Sequence, residues 1–496
     1  MSGAPVEPSG RTSVAVAAAL SLALLLPLAL TSGCSGAASA ERPAGSDAAS
    51  WLLRVSGFAV DTSGIDHTPP APGEHRVAKE QYGPCRASRA MAIVHVAMID
   101  ALVSVRGGYE PYHPVARAAP DASLEAAIAQ AAHDALLALY PSQRERLDAE
   151  LNRALDDLPP GRARDDGAAA GARAAAAILA DRARDGSAHS EPVVGRDYVV
   201  SSEPGHWRPD PVRPSSLALG ARWSEVRPFV LASAGALRAP PPPALTSDAY
   251  TSAFAEVKRM GGDGGVTSTE RSADQTRIGI YWAYDGTPSL CAPTRLYNQI
   301  AAQLAREHGL DAGETARLLA LANVAMADAA IAGWESKYFY DLWRPVTGIR
   351  EADAGTGPSG RSDGNPATHG DPTFTPLGAP ASNDVGPGFT PPFPSYPSGH
   401  ALFGGALFET LREFLGTDAV PFVFVSDELD GVTVGADGET RPLAPRSFET
   451  LSQAEEENGQ SRIYLGIHWA FDKTAGIEQG RAVAREVSAK LFAPAR

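Results

Sequence analysis

Apolar side chains recur every three or four residues through most of the chain. The clearest stretches are residues 88–105, 124–155, 168–183, 247–260 and 293–308. This spacing places apolar groups on one face of an α-helix. Alanine is abundant and runs of β-branched residues are scarce, which also favours helices over strands. The pattern predicts an all-α fold with a helical bundle architecture, in which two four-helix bundles are joined by long ordered loops.

One further stretch, residues 316–334, is apolar nearly all round. Such a segment is either a membrane span or a helix buried in a protein core. Asn323 and Asp328 lie inside it, and polar groups of this kind favour the buried core helix. Asp311 and Glu314 precede it with the spacing of a capping box, so we expect the helix to begin there.

The first 34 residues have the pattern of an export signal. Arg11 precedes an apolar run over about residues 14–30, and small residues then lead to Cys34. Small residues before a cysteine are typical of a bacterial lipobox, in which Cys34 receives lipid and tethers the protein to a membrane. Signal cleavage without lipid and a retained anchor are the alternatives. We therefore expect an exported protein, held at the cell envelope as a lipoprotein or secreted.

Changes in composition divide the remainder of the chain into four parts. Residues 35–80 are small, polar and proline-containing, which predicts a flexible tether. The other parts are an N-terminal helical bundle over residues 81–190, a proline-rich connector over residues 191–245 and a C-terminal helical half over residues 246–496. We expect the connector to wrap a surface and the C-terminal half to carry the functional site.

Charge and cysteine content restrict the partners and the covalent structure. The 496 residues include 43 basic and 58 acidic side chains, giving a net charge of -15. This charge disfavours nucleic acid as a partner and makes any cluster of cations informative. If Cys34 carries lipid, Cys85 and Cys291 remain. In an oxidising compartment they form either one disulfide or two buried free thiols.

Three clusters in the C-terminal half carry candidate chemistry. The first holds Lys337 and Arg344, whose spacing of seven predicts two cations on one face of a helix. The second is Tyr-Pro-Ser-Gly-His, ending at His400 and followed by an apolar run. Ser398 and Gly399 there predict a helix N-terminus whose backbone can approach an anion closely. The third holds Arg462 and His468.

Each cluster alone is a weak signal, because single histidines and Arg-Pro pairs usually have structural roles. Together they provide two guanidinium forks, one ammonium, a hydroxyl, a helix start and two imidazoles. These are the groups that a tetrahedral oxyanion requires. The sequence therefore predicts an oxyanion site built from residues that lie far apart in the chain.

The motifs Lys-x6-Arg-Pro, Pro-Ser-Gly-His and Ser-Arg-x5-His resemble those of the superfamily that vanadium haloperoxidases share with acid phosphatases related to phosphatidic acid phosphatase. All of these motif positions are filled. The likeness to vanadium chloroperoxidases continues at residues 281–286, 295–300, 391–397 and 461–472. The resemblance thus covers most of residues 247–485, and the N-terminal helices more loosely.

The resemblance implies a role for each site residue. The groups that would bind the oxygens of a vanadate cofactor are Lys337, Arg344, Ser398, Gly399 and Arg462. His468 would be the single protein ligand of the metal. His400 would be the acid/base residue, and Lys337 would be catalytic by hydrogen-bonding the bound peroxide and making it more electrophilic for halide attack.

Four further residues match positions around the cofactor. Asp285 would pair with Arg462 and orient its guanidinium. Phe393, Trp282 and Trp334 would form an apolar wall beside the metal. Bromide-preferring relatives carry histidine where this chain has Phe393, so the resemblance favours chloride. The alternative is that Phe393 only fills a gap in the core.

The expected activity is that of a vanadium-dependent haloperoxidase. Its substrates would be hydrogen peroxide, a halide and a small organic acceptor, with hypohalous acid or a halogenated acceptor as product. One alternative is an acid phosphatase that uses the same site through a phosphohistidine at His468. Another is a non-catalytic surface lipoprotein. The extended aromatic surroundings and the lack of several predicted membrane spans favour the haloperoxidase. The sequence leaves the halide, the acceptor, the regioselectivity and the oligomeric state open.

Overall fold

The computed structural model describes residues 46–286, 288, 290–380, 388–434 and 438–495. Over these residues the protein has thirteen α-helices and one two-stranded sheet, so the all-α prediction is confirmed. The helices are α1 Ser46–Asp66, α2 Gly83–Arg106, α3 Leu124–Leu139, α4 Arg144–Asp156, α5 Arg162–Arg182, α6 Asp248–Met260, α7 Ala273–Tyr281, α8 Thr294–Glu307, α9 Ala312–Tyr340, α10 Pro345–Arg350, α11 Gly399–Leu415, α12 Leu451–Tyr464 and α13 Ala470–Lys490. Strands β1 Phe422–Phe424 and β2 Arg446–Phe448 pair antiparallel.

Helix α9 lies at the centre of the core. It begins with the predicted capping box of Asp311 and Glu314. It packs against α2 from the N-terminal half and against α11 and α13 from the C-terminal half. Residues of both halves therefore share one continuous hydrophobic core. The predicted N-terminal bundle and C-terminal half differ in sequence position, but they are packed as one compact unit.

Helices α2 and α9 are long and apolar enough to cross a membrane, but 94% of the apolar window of each is buried inside the fold. The polar residues of α9 have partners there. Asn298 and Asn323 exchange side-chain amide hydrogen bonds of 2.9 and 2.8 Å. Burial with satisfied polar groups is what a core helix requires, which confirms that interpretation of residues 316–334.

The connector, residues 191–245, contributes to the core, contrary to the expectation that it wraps a surface. Apart from isolated bridges and one 3-10 turn at Trp223–Glu225, it has no regular structure. Trp207 and Trp223 are nevertheless fully buried. The Asp328 carboxylate of α9 accepts backbone N–H groups of residues 229, 230 and 231 at 2.6, 2.8 and 2.9 Å. These bonds replace the missing regular pairing and fasten the connector to α9.

The prediction of a flexible tether over residues 35–80 is wrong from Ser46 onwards. Helix α1 occupies Ser46–Asp66, and Leu52, Val55 and Ala59 are buried in the main core. The small and polar residues around them masked a helical apolar face, which packs against α3 and α9. The export signal and Cys34 lie outside the described residues.

Two of the predicted helices have other boundaries in the structure than the sequence indicated. Residues 124–155 form α3 and α4, which are separated at Pro141 because proline cannot continue the hydrogen-bond ladder of a helix. Lys337 and Arg344 do not share a helix. Asp341 has a φ of 52° and ends α9, and Arg344 is the N-cap of the next helix, α10.

Cys85 and Cys291 are free and buried. This is the second of the two alternatives that the sequence left open. The Cys291 sulfur lies 3.0 Å from the hydroxyl of Ser63 on α1. The link between the N-terminal and C-terminal parts of the chain is thus non-covalent at this place.

Candidate active site: a buried cage of hydrogen-bond donors

Five separate places in the chain bring the predicted oxyanion-binding residues together. Lys337 lies in the last turn of α9, Arg344 at the start of α10, residues 398–400 at the start of α11, Arg462 in the last turn of α12 and His468 just before α13. Every one of these side chains is at most 5% exposed. Gly399, His400, Arg462 and His468 line one cavity, with the remaining groups behind it.

The helix start that the sequence predicted at Ser398 and Gly399 is present as the start of α11. Ser398 is the N-cap residue, but its hydroxyl makes no capping hydrogen bond. A Cβ added to Gly399 would lie 3.2 Å from a ring carbon of Trp334, which is tighter than ordinary packing. Glycine lets the helix start lie this close to the indole ring without displacing it. The unpaired N–H groups of this first turn favour an anion.

Buried donors without partners mark the cage. Arg344 Nη2, Arg462 Nε and Nη1, and Ser398 Oγ have no hydrogen-bond partner among the described residues. The other bonds of Arg344 fix its plane, because Nε donates to the Phe393 carbonyl and Nη1 to the Ile467 carbonyl, each at 2.9 Å. A buried unsatisfied donor costs about 1–3 kcal/mol, and more when it is charged. Four such donors in one place therefore indicate a site for an anion.

The two nitrogens of His468 have different environments. Nδ1 lies 2.8 Å from Asp472 Oδ2 and donates its proton to that carboxylate. Nε2 is then the unprotonated nitrogen, and it accepts a 2.9 Å hydrogen bond from Arg344 Nη1. Burial first, then Arg344 and Lys337, lower the pKa of His468 well below 6.5. The ring is thus neutral, and its Nε2 lone pair, which accepts from Arg344 here, is the one that a metal ligand or a nucleophile would use.

His400 is also neutral, for a partly different reason. Its Nε2 lies 2.6 Å from the Ala283 carbonyl oxygen and therefore carries a proton. Burial and then the charge of Arg462 lower the pKa of His400 to about 3. An anion held against Arg462 would offset that repulsion and raise the pKa of His400. The ring therefore gains basicity when the cage is filled.

Lys337 differs from its predicted role. Its ammonium donates to the backbone carbonyls of Pro394, Ser395 and Pro397. These three bonds use all its N–H groups, so the structure does not show a Lys337 donor aimed at an oxyanion. Burial, and next the neighbouring Arg344, lower the pKa of Lys337. In this arrangement Lys337 holds the loop before α11 in place and adds positive charge behind the cavity.

Asp285 lies where the resemblance implies, since its Oδ2 accepts a 2.6 Å hydrogen bond from Arg462 Nη2. Phe393 and Trp334 line the cavity side by side, with ring centroids 4.9 Å apart. The prediction for Trp282 is wrong. Its indole N–H donates to Glu457 and its ring packs on Phe448, away from the cavity lining. The turn after α7 instead directs a backbone carbonyl, that of Ala283, towards His400.

Asp472, which the sequence reasoning did not single out, holds His468. Asp472 accepts from His468 Nδ1, from the Trp469 backbone N–H at 3.0 Å and from the Ser395 hydroxyl. Burial raises the pKa of Asp472. The spacing of four between His468 and Asp472 at a helix start was the available signal, because it places the two side chains together.

The donor set suits an anion rather than a bare cation. The part of the chain that the structure describes contains no group of three His, Cys, Asp or Glu side chains that could hold a metal ion. The unpaired donors of the cage would hold a metal as its oxyanion, through the oxygens, with His468 Nε2 as a lone-pair donor. Vanadate and phosphate both fit these groups.

Comparisons with known proteins show what the chain is similar to. Residues 317–495 match the family model for the VCPO second helical-bundle domain. Vanadium chloroperoxidase from Curvularia inaequalis is 39% identical over 272 residues, which are 47% of this chain and 43% of that protein. The sequence match thus spans less than half the length of the curated relative.

Solved structures match over more of the chain. A bacterial vanadium-dependent iodoperoxidase has a TM-score of 0.69 and 25% identity, covering 91% of this chain and 98% of that one. The holo-type bacterial vanadium-dependent chloroperoxidase has a TM-score of 0.59 and 16% identity, covering 85% and 95%. The second of these shows the fold alone.

The fold and the cage define a helical protein with a buried oxyanion-binding site that is assembled from distant parts of the chain. Within that class, residues 317–495 match the VCPO second helical-bundle domain, and the chain is similar in sequence and fold to vanadium haloperoxidases.

Proposed function

We propose that this protein is a vanadium-dependent haloperoxidase, which oxidises chloride or bromide with hydrogen peroxide to hypohalous acid or halogenates an organic acceptor. The observation that carries the proposal is the set of four unpaired buried donors around His468 Nε2. Such an arrangement is costly in the free protein. It is explained if a tetrahedral oxyanion occupies the cage.

Vanadate, when bound, would supply a Lewis acid that activates peroxide, while the oxidation state of vanadium stays the same. The residues of the chain supply the rest. Arg344, Arg462 and Ser398 hold the oxygens with their free donors, and His468 donates its lone pair. His400 lines the same cavity and exchanges a proton, because a bound anion raises its pKa from the value of about 3. Asp285 keeps the Arg462 guanidinium in the required plane.

A phosphohydrolase is the second candidate, since phosphate has the same shape and charge pattern as vanadate. The specific observation in its favour is the unprotonated Nε2 of His468, which could attack phosphorus to form a phosphohistidine. His400 would then protonate the leaving group.

One experiment separates the two functions. The purified protein is incubated with orthovanadate and peroxide, and chlorination and bromination of a dione dye are measured beside hydrolysis of an aryl phosphate. We expect halogenation that requires vanadate, halide and peroxide together. Slow phosphate ester hydrolysis should occur only without vanadate. Hydrolysis with no halogenation at any vanadate concentration would support the phosphohydrolase instead.

A matched pair of variants tests the site itself. His468→Ala removes the lone-pair donor and should abolish vanadate-dependent halogenation at saturating vanadate. His308→Ala replaces an exposed histidine at the end of α8 and should leave it unchanged. Substantial turnover in His468→Ala would contradict the assignment of His468 as the ligand.

We also propose that the protein is exported and is tethered through lipid on Cys34. The support is the sequence pattern of residues 1–34, which have the charge, apolar run and cysteine of a lipoprotein signal. Intact-mass measurement of the protein purified from membranes tests it. A Cys34→Ala variant that stays in the membrane fraction and differs in mass from the wild type only by the substitution itself would contradict lipid attachment.

A further inference from the structure

The turn that follows α7 carries two groups of the candidate active site. The Ala283 carbonyl accepts from His400 Nε2 at 2.6 Å. The Asp285 carboxylate accepts from Arg462 Nη2, also at 2.6 Å. Between these two residues, Tyr284 has a φ of 44°, in the left-handed region that residues other than glycine rarely adopt. Such a backbone persists only when surrounding contacts hold it. The position of both functional groups therefore depends on what holds this turn.

A segment far along the chain holds the turn. Residues 424–429, here called the clamp segment, run from the end of β1 through the next 3-10 turn. The Ser426 hydroxyl donates to the Tyr281 carbonyl at 2.7 Å. The Asp427 backbone N–H donates to the Tyr284 hydroxyl, also at 2.7 Å. The clamp segment thus contacts the turn both at the end of α7 and at the residue with positive φ.

Glu428 of the clamp segment contacts the backbone of the turn directly. Its Oε1 accepts from the Tyr284 backbone N–H at 3.2 Å. Glu428 is 1% exposed, and its Oε2 forms an ion pair with Arg441 Nη1. A buried carboxylate needs such a partner in order to stay ionised. Glu428 therefore brings a paired negative charge against the backbone of the turn.

The Ala283 carbonyl and the Tyr284 N–H belong to one peptide group. Its carbonyl accepts from His400, while its N–H donates to Glu428. The electrons of a peptide group are delocalised, so a negative charge beside the N–H makes the carbonyl oxygen a stronger acceptor. Hydrogen bonds that are linked in this way polarise and strengthen one another, above all in a buried place. The imidazole, the peptide and the carboxylate form one hydrogen-bonded chain.

We propose that Glu428 is a positioning residue for His400 and acts on it through the intervening peptide group. The inference deepens the proposed function, since His400 is the residue that exchanges a proton there. The chain of hydrogen bonds keeps the ring proton of His400 on Nε2, so Nδ1 is the nitrogen that can accept another. The peptide transmits orientation and polarisation, and no proton crosses it.

The two histidines of the site are thus oriented by carboxylates in two different ways. Asp472 accepts directly from Nδ1 of His468, which leaves the lone pair on Nε2. Glu428 acts on Nε2 of His400 through a peptide, which leaves the lone pair on Nδ1. Glu428 is not among the described residues that line the cavity. The peptide therefore places the charge of Glu428 farther from a bound anion, where its repulsion is weaker.

NMR of the full chain labelled with ¹⁵N-histidine and ¹⁵N-tyrosine, in the absence of vanadate, tests the inference. The His400 resonances are those that disappear in His400→Gln. In the wild type we expect His400 to be protonated at Nε2. Glu428→Gln keeps an oxygen acceptor but removes the charge, and it should shift the Tyr284 amide proton upfield. In Glu428→Ala the ratio of Nδ1-protonated to Nε2-protonated His400 should rise about fivefold, because the chain loses its last acceptor.

Glu455 provides the matched control. It is also 1% exposed and is paired with Arg412 and Arg481, outside the cavity. Glu455→Gln and Glu455→Ala should therefore leave the His400 spectrum unchanged. Circular dichroism confirms that each variant is folded. If Glu428→Ala is unstable, Glu428→Gln decides, since it keeps the volume of the side chain. The wild-type spectrum is an independent test, because a His400 protonated at Nδ1 would contradict the inference.

The halogenation assay separates the role of Glu428 from the proposed function. At saturating vanadate, Glu428→Gln should lower the kcat of bromide oxidation about tenfold, a part of what a general acid or base contributes. Its vanadate affinity should stay near that of the wild type, because the donors of the cage remain. An unchanged His400 spectrum in both Glu428 variants would overturn the inference and leave the haloperoxidase function intact. The expected spectral changes, without halogenation even by the wild type, would overturn the proposed function instead.

Discussion

His468 and Asp472 lie one helical turn apart, and the imidazole donates its Nδ1 proton to the carboxylate at 2.8 Å. The carboxylate also accepts from the Trp469 backbone and the Ser395 hydroxyl, so its position is fixed from three sides. This pair decides which nitrogen of His468 holds the lone pair. The tautomer of the ring is therefore set before any anion enters the cage.

Substitution of Asp472 by Asn should weaken vanadate binding by about 10- to 100-fold, because the ring loses its charged acceptor. The expected cause is a change of tautomer, so the fraction of His468 protonated at Nε2 should rise in ¹⁵N NMR spectra. Equilibrium dialysis measures the affinity. An unchanged tautomer together with reduced affinity would show that Asp472 acts only on local packing.

Asp285→Ala should also weaken vanadate binding by about 10- to 100-fold, through an Arg462 that has lost its orienting partner. Asp274→Ala is the matched control. Asp274 is an exposed aspartate that also accepts from an arginine, Arg446, at 3.0 Å, but outside the cavity. Vanadate affinities that are equal in the two variants would contradict a role for Asp285 in the cage.

Phe393→His should lower the ratio of chloride to bromide turnover while bromide activity largely survives. The phenyl ring lies under two cations, with its centroid 5.1 Å from Lys337 Nζ and 4.9 Å from Arg344 Cζ. An apolar ring there excludes water and keeps these charges effective. Phe393→Leu is the control that stays apolar, and it should keep the ratio near that of the wild type. An equal loss of both activities with a lower Tm would instead support a packing role.

Stability should fall as the pH drops below 6.5. The pKa of His400 is lowered to about 3, and that of His468 is also lowered, so the unfolded chain binds protons at these rings when the folded protein does not. Each ring then removes about 1.4 kcal/mol of unfolding free energy per pH unit below its unfolded pKa. Above pH 6.5 these two rings give no such loss.

Urea unfolding at several pH values between about 7 and about 5 measures this slope. His400→Gln should reduce it by the contribution of one proton, whereas the exposed His308→Gln should not change it. The raised pKa of Asp472 acts in the opposite direction, because the folded protein then binds the extra proton. Comparing variants cancels that contribution. An identical slope in wild type and His400→Gln would show that His400 is not held neutral.

The helices and the cage residues could be predicted from periodicity and motif spacing, because both depend on local patterns. Helix α1 could not be predicted in this way, because small and polar residues interrupt its apolar face. That face is recognised only from its packing against α3 and α9. The position of the Trp282 ring could not be predicted either. A position in a motif does not specify which way a side chain points after a turn. Lys337 shows the same limit, as its three carbonyl partners belong to a loop about 60 residues further on.

Four buried donors of the cage have no hydrogen-bond partner in the described part of the folded chain, so a bound anion would stabilise the folded state. Any tetrahedral oxyanion that satisfies them binds the folded chain and not the unfolded one, so it acts as a folding ligand. At a concentration 100 times its Kd such a ligand adds about 2.7 kcal/mol of stability. Phosphate from a buffer would then hold the structure together and compete with vanadate at the same time. The melting temperature of this protein is therefore a property of the protein and its anion together.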